Sequence, residues 1–85
     1  MTEEPVGKVV KFFSKPGVAA VEITSGVLRV GDRIRIKGHT TDLEDTVDSM
    51  QIEKESIDEA QQGYLVGIQV KARVREGDQV FKVIE

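Results

Sequence analysis

Six basic side chains on two alternating stretches are the residues best placed to do chemistry in this sequence. Arg33, Arg35 and Lys37 are separated by Ile34 and Ile36, and Lys71, Arg73 and Arg75 by Ala72 and Val74. Period-two spacing puts each trio on one side of a strand, opposite the core. Arg29 extends the first trio. If the two strands are neighbours, these seven cations form a surface able to meet phosphates, and they are the candidate nucleic-acid-binding residues. The competing reading is the ordinary solvated outer face of a small β domain, where Lys and Arg also discourage edge pairing.

Other side chains offer less. Phe12 and Phe13 are adjacent, so in a strand one ring must point outward, free to stack on a base or to fill a partner's pocket. An acidic stretch follows, with Asp42, Glu44 and Asp45 at its start. It reads either as a solvated loop or as a contact for a basic partner, and it lacks the Gly-centred spacing of a calcium loop. Phe12, Phe13, Asp42, Glu44 and Asp45 are thus the candidate protein-interaction residues. His39 is the one histidine and there is no cysteine, which leaves no metal-ligand set and no base for Ser14, Ser25, Ser49 or Ser56. No catalytic residue, cofactor or metal site is expected, and the chain is expected not to be an enzyme.

Positioning these residues falls to short strands. Residues 6–13 and 18–23 read as β-rich runs divided by Pro16-Gly17, a strong turn signal. Residues 33–37 alternate at period two. The stretch 39–45 has too little apolar content for a core strand and reads as a loop. Residues 46–53 alternate again, with Val47, Met50 and Ile52 as core candidates; the spacing from Val47 to Met50 is off by one and predicts a bulge near Asp48-Ser49. Ser56 and Glu59 have capping-box spacing, which predicts one helical turn over 56–60. Residues 64–70 form a strand that 71–75 continue or follow, and 79–84 form the last. Six to seven short strands predict an all-β domain, and a closed barrel is favoured because an open sheet of this size exposes two edges.

Eighty-five residues make one domain, 1–85, with a modest core. Net charge is −3, but residues 1–38 are net +3, 39–62 net −7 and 63–85 net +1. The overall balance therefore does not argue against nucleic acid. No apolar run approaches the roughly 20 residues a membrane helix needs, and Met1 to Pro5 are polar and acidic. The expectation is a cytoplasmic, soluble protein with no membrane partner.

A phrase occurs twice: Val30-Gly31-Asp32-Arg33-Ile34-Arg35-Ile36 and Glu76-Gly77-Asp78-Gln79-Val80-Phe81-Lys82-Val83. Gly can take positive φ and Asp can hold nearby backbone N–H groups, so each copy reads as a turn launching a strand. Around the first copy, Gly7-Lys8-Val9, Gly17-Val18-Ala19-Ala20-Val21-Glu22-Ile23 and Gly26-Val27-Leu28-Arg29-Val30-Gly31-Asp32 stand in order. Ala60-Gln61-Gln62-Gly63-Tyr64-Leu65-Val66-Gly67-Ile68 and Arg75-Glu76-Gly77-Asp78-Gln79-Val80 follow. From Val6 to Val83 the chain resembles the second domain of translation elongation and initiation factor GTPases, here without the GTPase domain.

That resemblance implies a closed Greek-key barrel that docks on ribosomal RNA or tRNA. Similar barrels also serve as accessory domains at the ends of unrelated enzymes, including collagenase-like peptidases. No phosphate loop is present, since Gly7-Lys8 is followed by Val9, so no nucleotide hydrolysis is expected. The leading expectation is a non-enzymatic, translation-factor-like module contacting RNA or the translation machinery. The alternative is a protein-interaction or accessory barrel for a separately encoded enzyme.

Overall fold

The computed structural model describes residues 2–15 and 17–84. Its ten strands are β1 Thr2–Phe13, β2 Val18–Ile23, β3 Val27–Arg29, β4 Arg33–Lys37, β5 Asp42–Thr46, β6 Met50–Ile52, β7 Glu55–Ile57, β8 Glu59–Gln61, β9 Leu65–Gln69 and β10 Gln79–Ile84. Eight form one antiparallel sheet in the order β5-β4-β10-β1-β2-β9-β6-β7, and β3 pairs with β8 as a separate ribbon.

The connection between β5 and β6 forces the sheet to roll. Those strands stand six places apart in the order, about 29 Å if the sheet were flat. Only residues 47–49 join them, and a chain that short reaches at most about 14 Å. The roll buries Val9, Val21, Ile34, Ile36, Met50, Ile68 and Val80 inside. It is not closed by strand pairing: among the described residues β5 and β7 remain the two ends of the order. The expected closed barrel is corrected to this rolled sheet. At the seam, Val30 N donates to Asp58 O and Gly31 N to Val47 O, so a turn stands where a ladder would close the barrel.

Both Gly-Asp copies are the same device. In Arg29-Val30-Gly31-Asp32 and Arg75-Glu76-Gly77-Asp78, the Gly has φ of 97° and 89°, as the third position of a type II turn requires. The Asp Oδ2 accepts from the first residue's N–H, Arg29 or Arg75, at 2.8 Å in both. Each turn then brackets one buried valine from the other half of the chain. Gly31 N donates to Val47 O (2.8 Å) and Val47 N to Asp32 O (2.9 Å). Gly77 N donates to Val9 O (2.7 Å) and Val9 N to Asp78 O (2.7 Å). The strands launched by the turns, β4 and β10, pair with each other.

Three sequence expectations fail locally. The second half of the expected loop 39–45 belongs to β5, because its acidic residues lie opposite basic ones: Glu44 faces Arg35 and Asp42 faces Lys37. Such cross-strand pairs stabilise a strand that has little apolar content. The helical turn over 56–60 is absent. Residue 57 ends β7 and 59–61 form β8, with Ala60 fully buried against β3 and Glu59 bonded to Arg29 at 3.0 Å. Tertiary pairing overrides the capping spacing. Residues 71–75 are not a strand: β9 ends at Gln69, and Val70 and Val74 are buried as the chain crosses the end of the sheet. The irregular Val47-to-Met50 spacing marks a break between strands, with both side chains fully buried.

Candidate binding surface

The first basic trio is neutralised by its neighbours. Arg35 makes a two-pronged contact with Asp42 (Nε–Oδ1 3.0 Å, Nη2–Oδ2 3.2 Å) and reaches Glu3 through Nη1 at 3.0 Å. Lys37 Nζ sits 3.1 Å from the same Glu3, and Arg33 Nε 3.5 Å from Glu44. Three cations thus meet three carboxylates. This is a clasp joining β1, β4 and β5, with no surplus charge for phosphates. Arg29, beside it, is engaged by Glu59. The hydrogen bond from Lys37 is the largest influence on the Glu3 carboxyl; burial opposes it, and with the hydrogen bond from Arg35 and the charges of both cations the carboxyl is held below its ordinary value. Arg35 does the same to Asp42, and the two carboxylates raise the Arg35 guanidinium in turn.

A depressed carboxyl pKa contributes stability above the unfolded value, lost as pH falls through the folded one. The ordinary values are 4.5 for Glu3 and 3.8 for Asp42, so the clasp should hold at neutral pH and fail in the acid range beneath them. Urea unfolding at neutral pH and at pH ~3 should show a smaller acid-induced loss for Arg35→Gln than for the wild type. An equal loss in both would mean that the clasp does not sense acid.

Asp45 is not available to a partner. It is buried, with Oδ1 accepting from Thr46 N at 2.7 Å and Oδ2 from Lys71 N at 3.1 Å. It anchors the start of the 71–75 crossing and holds Lys71 Nζ at 3.6 Å. Asp42 and Glu44 are exposed but committed to Arg35 and Arg33. Lys71 and Arg33 do border one hollow, of about 280 Å³, yet Glu44 and Asp45 lie between them. The seven cations therefore do not merge into one patch.

What remains is at the far end of β1. Arg73 and Arg75 are exposed, and among the described residues neither side chain has an acidic partner. Phe12 is half-buried against the core, and Phe13 is 45% exposed with Lys11 Nζ 5.1 Å from its ring centre. A groove of about 330 Å³ runs between Phe12, Ser14 and Gly17 on one side and residues 70–73 on the other. It continues along Phe12 and residues 73–76. Lys11 and the strand edge beside it were missed by sequence reasoning, although two adjacent aromatics between lysines mark the spot. No group of three or more His, Asp or Glu side chains able to hold a metal exists among the described residues. No helix there is long and apolar enough to cross a membrane.

Residues 3–82 match the family model for elongation factor Tu domain 4. The chain belongs to that family. The translation-factor likeness thus holds at the level of the family, while the finer expectation of a second domain meets a family described as the fourth. The chain is also similar to segments of proteins named as proteases. A collagenase of Porphyromonas gingivalis is 40% identical over 91% of this chain and 22% of its own length. An uncharacterised protease of Methanocaldococcus jannaschii is 41% identical over 94% of the chain and 20% of its own. The chain thus spans about a fifth of the length of these relatives.

Among solved structures, the C-terminal domain of a Geobacillus thermoleovorans protein classed as a U32 peptidase superposes with a TM-score of 0.87 at 20% identity, covering 95% of this chain and 93% of that one. GDP-bound aIF5B from Aeropyrum pernix gives 0.64 at 22% identity, covering 94% of this chain and 14% of the factor. At those identities the superpositions establish a shared fold.

Proposed function

We propose that this chain is a non-catalytic accessory domain that works with a U32-type peptidase unit and supplies it with a binding surface. The observation carrying this reading is the match of nearly the whole chain to about a fifth of a collagenase and of a protease. Its fold is also that of an isolated U32 peptidase C-terminal domain. A graft tests the reading. Deleting the matching segment from the Porphyromonas gingivalis collagenase should lower its activity on a protein substrate, and inserting this chain in its place should restore much of it. Full activity after the deletion would sink the proposal.

Contact with ribosomal RNA or tRNA is the second reading. Membership in an elongation factor family and Arg73 and Arg75, whose side chains have no acidic partner among the described residues, favour it. The clasp withdraws Arg33, Arg35 and Lys37 from that role, leaving few cations to meet a phosphate chain.

A further inference from the structure

The groove beside Phe12 is also an open strand edge. β1 pairs with β10 only from Thr2 to Lys8. Beyond the Gly77-Asp78 clamp on Val9, residues 11–13 pair with β2 alone. Gly17 N donates to Phe13 O, so the Phe13 backbone turns toward β2. Alternation along an antiparallel strand then turns the Phe12 N–H and C=O the other way, toward the groove. Among the described residues no backbone group outside the β2 ladder meets them. The opposite wall is the crossing segment, with Arg73 and Arg75 exposed and without an acidic partner among the described residues, and Lys11 and Lys15 stand exposed on the β1 side. Among the described residues, Glu76 is the one acidic residue lining the groove.

We infer that this groove takes an extended, acid-bearing polypeptide segment of the peptidase unit, added as a short strand along residues 11–13 of β1. This rests on the accessory-domain reading above. Strand addition supplies main-chain hydrogen bonds, and alternate side chains choose the sequence. Here acidic side chains meet Arg73 and Arg75 while apolar ones lie against Phe12. The rest of the surface explains why the acid must come from outside: the exposed acids nearest the other cations are already held in the clasp or by Arg29. A nucleic acid would need a longer cationic track than the groove offers, and the clasp at the other end of β1 has no surplus charge to extend it.

The test uses this protein and a short synthetic peptide alternating Glu and Val. Titration followed by amide NMR should move signals from residues 11–13 and 72–76 and slow hydrogen exchange at the Phe12 amide. Affinity should fall about tenfold in Arg73→Glu/Arg75→Glu, whose exposed side chains make that double variant safe for folding, as a thermal melt would verify. It should fall similarly for a peptide N-methylated at alternate residues, which keeps the charge but loses the ladder. Equal binding of the N-methylated peptide, or tighter binding of oligouridine than of the peptide at the same salt, would overturn the inference. In the collagenase graft, the double variant should restore less activity than the wild-type chain. Equal restoration overturns the groove while leaving the accessory role standing; peptide binding at residues 11–13 with no effect of the collagenase deletion supports the groove and overturns the role.

Discussion

Asp78→Ala should destabilise the domain by about 2 kcal/mol, and Asp32→Ala by roughly half that. Both side chains accept the N–H of the residue three positions back, at 2.8 Å. Their surroundings differ. Asp78 is 4% exposed and its bond to Arg75 N is partly buried, whereas the bond from Arg29 N to Asp32 lies at the surface. Water can replace a lost acceptor at an exposed turn but not at a buried one. Loss of Asp78 also loosens the turn that holds Val9, where β1 passes from pairing with two strands to pairing with one. For a domain of this size the difference should appear as a melting temperature lower by about 10 °C for Asp78→Ala and about 5 °C for Asp32→Ala. Asp78→Asn, which keeps an acceptor oxygen, should recover part of the loss. If Asp32→Ala proved the costlier change, burial would not be what sets the order.

Those two turns are the part of the fold most legible in the sequence, because a Gly-Asp step is local chemistry. Alternation is local too, and residues 18–23, 33–37 and 79–84 are strands with the bounds that it predicts. What the sequence hid depends on partners remote along the chain. The stretch holding Asp42 and Glu44 looks like a loop until Arg35 and Lys37 are set opposite it. Ser56 and Glu59 look like a helix cap until Arg29 claims Glu59. Residues 71–75 alternate like a strand, yet buried Asp45 holds the Lys71 amide and turns the chain across the sheet end.

The candidate site follows the same division. Period-two spacing correctly gives Arg33, Arg35 and Lys37 a common outer face, but it cannot reveal that Glu3 lies against two of them. The adjacency of Phe12 and Phe13 does imply one outward ring, and Phe13 is that ring. That β1 outruns β10 beside these aromatics follows from register, which the Gly-Asp clamp on Val9 fixes and which no local pattern encodes.

Gly7→Ala should cost more than either turn substitution, about 3 kcal/mol. Gly7 lies inside the sheet, paired with Val80 on β10 and with Ile23 on β2. A methyl group there would run into the backbone carbonyl of Glu22 and stand 3.0 Å from Val21 Cγ1. Glu22 is itself paired on both sides, with Lys8 and with Leu65, so its carbonyl cannot retreat without disturbing two ladders. Gly31→Ala is the informative control. Nothing lies within 4 Å of the added atom, so that variant bears only the cost of a positive φ, about 1–2 kcal/mol. Denaturant unfolding of the two variants separates close approach from backbone conformation, and a larger loss for Gly31→Ala would remove the close approach as the reason for glycine at position 7. Because β1 also carries the open edge at residues 11–13, a Gly7→Ala protein that still folds should bind the Glu–Val peptide more weakly than Gly31→Ala does, even though residue 7 does not line the groove.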